Sequence, residues 1–294
     1  MASNKHRRYP VRTVRVLLRV FALLPLRVSR GCAAFVAFLA WRFKTRAART
    51  TIQNIAHCYG HLTPDDQLKL ARESLRHTAS TVFEMPAVWT SSYARLSRWI
   101  KQVHGETLLK ERIKNGSVLL ILPHFGNWEV LTTYMHSIAK YSCMYSPRRL
   151  YELDELINQY RGRFGSEFLP LTKPGFRTLL GRIKAGGVVV VLPDQVPEGG
   201  QWVTSLFLGR PIKTGTFPHA LLKRGDMKAL TMVAVRCNGG FNVHLQDVDE
   251  EIYASEAEPS VKALDRAIER VVELDPAQYQ WEYKRFRGSA EIYR

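Results

Sequence analysis

The sequence predicts an α/β domain in which helices pack on a central sheet, and three stretches carry that prediction. Val118 to Leu122 is an unbroken apolar run after the turn signal Asn115-Gly116, the pattern of a buried strand. Beyond it, Trp128, Leu131, Tyr134 and Met135 recur at intervals of three and four residues, the period of a helix. Phe176 to Ala185 is a helical segment stopped by Gly186-Gly187, and it leads into Val188 to Leu192, the most hydrophobic strand of the chain. At 294 residues and 46% hydrophobic content the chain can hold one large α/β domain or two smaller ones, and it is not disordered.

The N-terminal region stands apart by charge. Before Asp65 there is no acidic residue, while Lys5, Arg7, Arg8, Arg12, Arg15, Arg19, Arg27, Arg30, Arg42, Lys44, Arg46 and Arg49 supply twelve of the seventeen net positive charges. Val14 to Val28 is apolar but interrupted by Arg15, Arg19 and Arg27 and broken at Pro25. Gly31 to Trp41 is free of charge yet only eleven residues long. A transmembrane helix needs about 20 apolar residues, so a bent, interfacial pair of helices is expected, with Arg side chains reaching the headgroups. The Arg-broken apolar core argues against a cleaved signal peptide. Residues 1–50 are therefore expected to be a basic, apolar membrane-associating region, and residues 51–294 the catalytic α/β domain.

Within that domain Thr63-Pro64-Asp65-Asp66 is a helix start, with Thr63 as cap and Pro64 in the first position, and the helix continues towards Val82. His104-Gly105 fits a strand-to-helix turn before a helix over Glu106 to Lys114. Tyr141 to Tyr145 reads as a strand, and Leu153 to Phe164 as a helix ending at Gly165. Thr231 to Cys237 and Phe241 to Asp247 alternate around Asn238-Gly239-Gly240, a hairpin signal. Pro259 to Leu274 carries a late helix on Val261, Leu264, Ile268 and Val271. Cys32, Cys58, Cys143 and Cys237 lack zinc or CxxC spacing and read as free thiols. No P-loop, GxGxxG or GxSxG is present, and neither a metal nor a cofactor is called for.

The candidate chemistry lies in the loop after the first strand. It holds His124, Gly126 and Asn127, with Glu129 entering the next helical turn. Loops at the carboxyl ends of buried strands are where open α/β sheets place their sites. His124 and Glu129 lie five positions apart across a bend, close enough for the carboxylate to hold one ring nitrogen. The other nitrogen would then be free to deprotonate a hydroxyl. A second polar pair, Asp194-Gln195, stands at the end of the strand from Val188.

The string Pro123-His124-Phe125-Gly126-Asn127-Trp128-Glu129 resembles the H-x4-[DE] signature of glycerolipid acyltransferases, in the form found in the bacterial lipid A biosynthesis (lauroyl/myristoyl) acyltransferase family. The resemblance extends to Asn54-Ile55, to Glu84 and Trp89, to Arg163-Phe164-Gly165, to Asp194-Gln195 and to the C-terminal string Pro276 to Arg287. In that string Tyr283 stands where the family has His, so a role resting on that His does not carry over. The family's Arg after the second strand is displaced here to Arg148.

What the resemblance implies is a single glycerol-3-phosphate-acyltransferase-like domain with a central mixed sheet flanked by helices. It implies acyl transfer from an acyl carrier protein thioester to a hydroxyl of a lipid A precursor at the cytoplasmic face of an inner membrane. His124 is the expected general base and Glu129 the residue that orients it. Gly126, Asn127, Arg148, Arg163, Asp194 and Gln195 are expected to bind substrate. Loop N–H groups near Gly126, or Arg163, are the expected oxyanion donors, and Asp194 is expected to hold its loop or a sugar hydroxyl. The same transfer onto a lysophospholipid, an amino-acid lipid or another glycolipid is the alternative. Nucleic-acid binding is disfavoured, because the charge lies beside apolar N-terminal runs and no RRM, KH or zinc pattern appears.

Overall fold

The computed structural model describes residues 11–146, 151–289 and 291–293. Two helices open it, α1 (Val11–Ala22) and α2 (Leu26–Arg42), separated by a bend of 112°. Pro25 sits at the break, where it precedes the first turn of α2 and needs no N–H partner. No single helix among the described residues is long and apolar enough to cross a membrane. α2 turns the small residues Ser29, Ala33 and Ala37 inward and leaves Phe35 and Phe38 exposed at 63% and 61%.

α3 (Arg46–Cys58) follows, and then α4 (Pro64–Thr90), the longest helix. The start of α4 is as the sequence predicts, with Thr63 Oγ1 accepting the Asp66 N–H at 3.2 Å. It runs past Val82 and through Pro86, because Ala87 and Val88 are buried in the core beyond the proline and tertiary packing offsets the missing hydrogen bond. α2 packs along it.

The other helices are α5 (Tyr93–Ser97), α6 (Glu106–Asn115), α7 (Leu131–His136), α8 (Tyr151–Gly162), α9 (Lys173–Lys184), α10 (Phe217–Leu222) and α11 (Ala257–Glu273). The strands are β1 (Ile100–His104), β2 (Ser117–Ile121), β3 (Tyr141–Tyr145), β4 (Glu167–Pro170), β5 (Val188–Val191), β6 (Trp202–Phe207), β7 (Arg210–Gly215), β8 (Met227–Cys237) and β9 (Gly240–Asp247). Seven of them form one mixed sheet in the order β1-β9-β8-β2-β5-β3-β4, in which β8 and β9 pair antiparallel and every other pair is parallel. β6 and β7 form a separate hairpin against α11.

Alternation along the central strands sorts the core into two layers. Leu119, Ile121, Val189, Val191 and Val233 pack with Leu179 and Ile183 of α9, Leu264 and Ile268 of α11, and Trp281 and Phe286. Val118, Leu120, Val188, Val190 and Met232 pack with Leu109 of α6, Tyr134 and Met135 of α7, and Val88 of α4. β2 and β5 are buried on both sides, which is why each reads as a continuous apolar run.

Candidate active site

The site forms where β2 and β5 end. These strands are adjacent, parallel and in register, with Ile121 opposite Val191. Each continues through Leu-Pro, and three residues beyond each register pair stand His124 and Asp194. Equal lengths of chain from paired residues bring the two side chains together. Asp194 Oδ1 lies 2.8 Å from His124 Nδ1, and Asp194 Oδ2 accepts the His124 backbone N–H at 2.8 Å.

Asp194 is only 2% exposed. Burial alone would raise its pKa, but the hydrogen bonds from the His124 ring and backbone N–H, with the Arg285 guanidinium beyond, outweigh burial and hold the carboxyl below its ordinary range. An ionised Asp194 fixes the proton on Nδ1 and leaves the lone pair of Nε2 directed away from it. The indole of Trp128 stands edge-on to the imidazole, with ring centroids 4.9 Å apart.

Glu129, expected to hold His124, does not. Trp128, Glu129 and Val130 form a 3-10 turn, so Trp128 faces the imidazole while Glu129 points into the protein. There Glu129, 2% exposed, accepts the Trp89 Nε1–H at 3.0 Å and is gripped by the Arg161 guanidinium, whose Nε lies 3.1 Å from both carboxylate oxygens. The carboxylate on His124 is Asp194. The sequence does carry a sign of this pairing in its two strand ends, Leu122-Pro123-His124 and Leu192-Pro193-Asp194.

The loop that carries His124 is braced from below. Gly126 adopts φ +58°, and a Cβ there would lie 2.0 Å from Ala234 O, so only glycine fits. Gly126 N–H donates to Gln278 O at 2.9 Å. Asn127 is fully buried, with Nδ2 donating to Glu84 Oε2 at 2.9 Å, so it supports the loop rather than facing a substrate. Glu84 in turn meets Arg30 of α2 at 2.7 Å and Arg236 of β8 at 2.8 Å. Its burial favours the neutral acid, but Arg236 and Arg30 outweigh burial and keep its pKa low. His77 lies against Arg236 at 3.0 Å, and burial together with that guanidinium lowers its pKa to about 3.

Arg163, expected to meet a phosphate or an oxyanion, donates to Ser91 O at 2.5 Å and Val88 O at 2.8 Å, closing the C-terminal end of α4. Arg148 lies outside the described residues.

The C-terminal string forms the opposite wall. Phe125 and Tyr279 form a β-bridge, and Gln280 N–H donates to His124 O at 3.1 Å. The two strings that stand about 150 residues apart in sequence are thus hydrogen-bonded neighbours. Asn54 holds this wall from outside by donating to Trp281 O and Tyr283 O, both at 2.7 Å. Tyr283 accepts the Val196 N–H at 3.0 Å and so ties down the loop after Asp194.

Between the walls is a cleft of about 160 Å³. Thr78, Val82 and Met85 of α4 line it with His124, Trp128, Gln280 and Glu282, and no Lys or Arg is among the described residues lining it. Glu282 accepts from Thr78 Oγ1 at 2.8 Å, and burial pushes its pKa up. Gln195 reaches the open side of the imidazole, its Nε2 at 3.4 Å from His124 Nε2. A base with its tautomer fixed by a buried carboxylate, at the edge of a cleft, is equipped to take a proton from a hydroxyl. Of the expected site residues, Asp194 and Gln195 join His124; Glu129, Asn127 and Arg163 do not. Sequence reasoning did not single out Gln280 or Glu282, which lie two residues apart in the turn closed by Tyr283 N–H donating to Gln280 O at 3.3 Å.

Comparison with known proteins points the same way. The sequence model of the bacterial lipid A biosynthesis acyltransferase family matches residues 1–288. The chain is similar to a lipid A biosynthesis palmitoleoyltransferase of Escherichia coli (strain K12), at 22% identity over 94% of this chain and 92% of that protein. It is also similar to a lipid A biosynthesis acyltransferase of Shigella flexneri at the same identity and coverage. A lipid A biosynthesis lauroyltransferase of E. coli K12 is 22% identical over 91% of this chain and 87% of its own length.

Proposed function

The chain belongs to the bacterial lipid A biosynthesis acyltransferase family and is an O-acyltransferase, and from that premise we propose that it transfers a fatty acyl chain from an acyl carrier protein thioester to a hydroxyl of a lipid A precursor. The observation that carries the chemistry is the contact between His124 Nδ1 and Asp194 Oδ1 at 2.8 Å. His124 Nε2 removes the acceptor's proton as the hydroxyl oxygen attacks the thioester carbonyl. Asp194 stabilises the imidazolium that forms. Both substrates react in one complex, without an acyl-enzyme.

The cleft favours the same acceptor chemistry. With no Lys or Arg among the described residues lining it, it suits an uncharged hydroxyl-bearing acyl segment better than a phosphate, which would leave its charge unpaired. Phosphates and the acidic carrier protein are met by basic residues outside it. Residues 1–50 associate with the membrane: α1 and α2 expose Leu17, Val20, Phe21, Phe35 and Phe38, with Arg12, Arg15, Arg19 and Arg27 to meet anionic headgroups. Four unpaired cysteines suit the reducing, cytoplasmic side of an inner membrane, where the acyl thioester would be supplied.

The test is mass spectrometry of lipid A from the native host with the gene intact, deleted, and restored as wild type, His124→Ala or Asp194→Asn. Deletion is expected to remove one acyl chain that only the wild-type gene restores. Unchanged lipid A on deletion would overturn the acceptor assignment, and full restoration by His124→Ala would overturn the base.

A further inference from the structure

Attack on a thioester passes through a tetrahedral oxyanion, which needs hydrogen-bond donors where its charge develops. The donors that the sequence suggests are engaged elsewhere. In the loop, His124 N–H donates to Asp194, Phe125 N–H to Pro123 O, Gly126 N–H to Gln278 O and Asn127 N–H to Ala234 O. Arg163 closes the end of α4. Among the described residues, the side-chain donor that the fold brings to the open face of His124 is the Gln195 carboxamide, 3.4 Å from Nε2.

That amide is held in place from behind. Gln195 Nε2 donates to Gln280 Oε1 at 3.1 Å, the Gln280 side chain is bonded to Glu282, and Thr78 of α4 donates to Glu282 at 2.8 Å. The contact towards Gln280 is short, and the one towards His124 is long. A fixed N–H group making only a weak contact beside the base is free to exchange that contact for a developing negative charge without reorganising.

Resting on the acyl-transfer reading above, we infer that the Gln195 carboxamide is the oxyanion donor of this enzyme. The acceptor hydroxyl replaces the amide on His124 Nε2, and the N–H so freed, still held in place through Gln280, donates to the thioester carbonyl oxygen instead. Nε2 takes the hydroxyl proton while the hydroxyl oxygen bonds to the carbonyl carbon, and the carbonyl π pair moves onto the oxygen facing Gln195. Collapse restores the carbonyl and breaks the C–S bond. The thiolate leaves with the proton that Nε2 received. Gln280 and Glu282 are positioning residues: Gln280 touches the Gln195 amide, Glu282 holds Gln280, and both act through Gln195.

The experiment uses the full-length enzyme, a lipid A precursor in mixed micelles and dodecanoyl-acyl carrier protein labelled with carbon-13 at the carbonyl. Wild-type turnover is measured first, and its absence would overturn the acyl-transfer reading and this inference with it. With wild-type turnover present, Gln195→Ala and the size-conserving Gln195→Glu are expected to lower kcat about 10²- to 10³-fold, with KM changed less than about threefold and melting temperatures unaltered. In difference infrared spectra the labelled carbonyl bound to His124→Ala is expected at lower frequency than in solution, and that displacement is expected to vanish in His124→Ala/Gln195→Ala. An undiminished kcat in folded Gln195→Ala would overturn the inference, as would a carbonyl band that ignores the amide. A raised kcat would mark Gln195 as a latch on the base and would equally overturn it.

Discussion

Asp194 holds His124 at two points, through Oδ1 on the ring nitrogen Nδ1 and through Oδ2 on the backbone N–H, each at 2.8 Å. One buried carboxylate therefore sets both the tautomer of the base and the conformation of the loop that carries it. Asp194→Asn keeps the size of the side chain but can present an N–H to Nδ1, which favours the wrong tautomer. The expected result is a kcat about 10³- to 10⁴-fold lower with a nearly native fold. Steady-state transfer rates beside a circular-dichroism melt would check it, and a variant within tenfold of wild type would remove Asp194 from the mechanism.

Glu129 is expected to matter through Arg161. Removing one partner of a buried pair leaves the other charge without compensation, so Glu129→Gln should lose about 3 kcal/mol of stability. Glu129→Gln combined with Arg161→Met should recover part of that loss and keep far more transfer activity than His124→Ala. Urea denaturation of the single and double variants measures the coupling. A double variant that folds as wild type yet is as inactive as His124→Ala would return Glu129 to the chemistry.

Acid sensitivity is expected from His77. Its folded pKa is lowered to about 3 by burial and by Arg236, whereas an unfolded imidazole titrates near about 6.5. Between those values the unfolded chain binds one more proton, so stability is complete above about pH 6.5 and falls with acidification at about 1.4 kcal/mol per pH unit. Wild type should lose about 2 kcal/mol more than His77→Asn between pH 7 and pH 5. Equal losses in denaturation curves at the two pH values would show that His77 is not buried neutral. Asp194, whose folded pKa is depressed, acts only at lower pH: its contribution is present above about 3.9 and is lost as pH falls through the folded value.

Membrane association is expected to depend on the exposed face of α2. Phe35 and Phe38 are one turn apart and more than half exposed. Phe35→Ser/Phe38→Ser should weaken co-sedimentation with vesicles containing anionic lipid at least tenfold, since a buried Phe is worth roughly 1.5–3 kcal/mol. Added salt should weaken the wild type further by screening the arginines. Undiminished sedimentation of the variant would move the contact elsewhere.

The helix bend at Pro25, the cap at Thr63, the paired strands β8 and β9 and the buried strands β2 and β5 were legible because each is encoded locally, in a proline, a capping side chain, a Gly turn or an apolar run. β4 and the β6–β7 hairpin were not legible as strands: β4 has Glu and Pro at its ends and only two apolar residues between, and β6 and β7 carry Thr, Ser, Lys and Arg among their apolar positions. The long reach of α4 past Pro86 was hidden too, because tertiary packing, not propensity, sustains it.

His124 could be singled out from its own neighbours, since a polar residue at the end of a buried strand announces itself. Its partner could not. Glu129 is five residues away and Asp194 seventy, and proximity along the chain favours the nearer carboxylate. By itself the sequence determined the α/β class and singled out His124 as the residue proposed to be the base. Only the tertiary structure decided which carboxylate meets that base: the in-register pairing of β2 with β5 carries Asp194 to the ring, while the 3-10 turn at Trp128 rotates Glu129 away to Arg161 and Trp89.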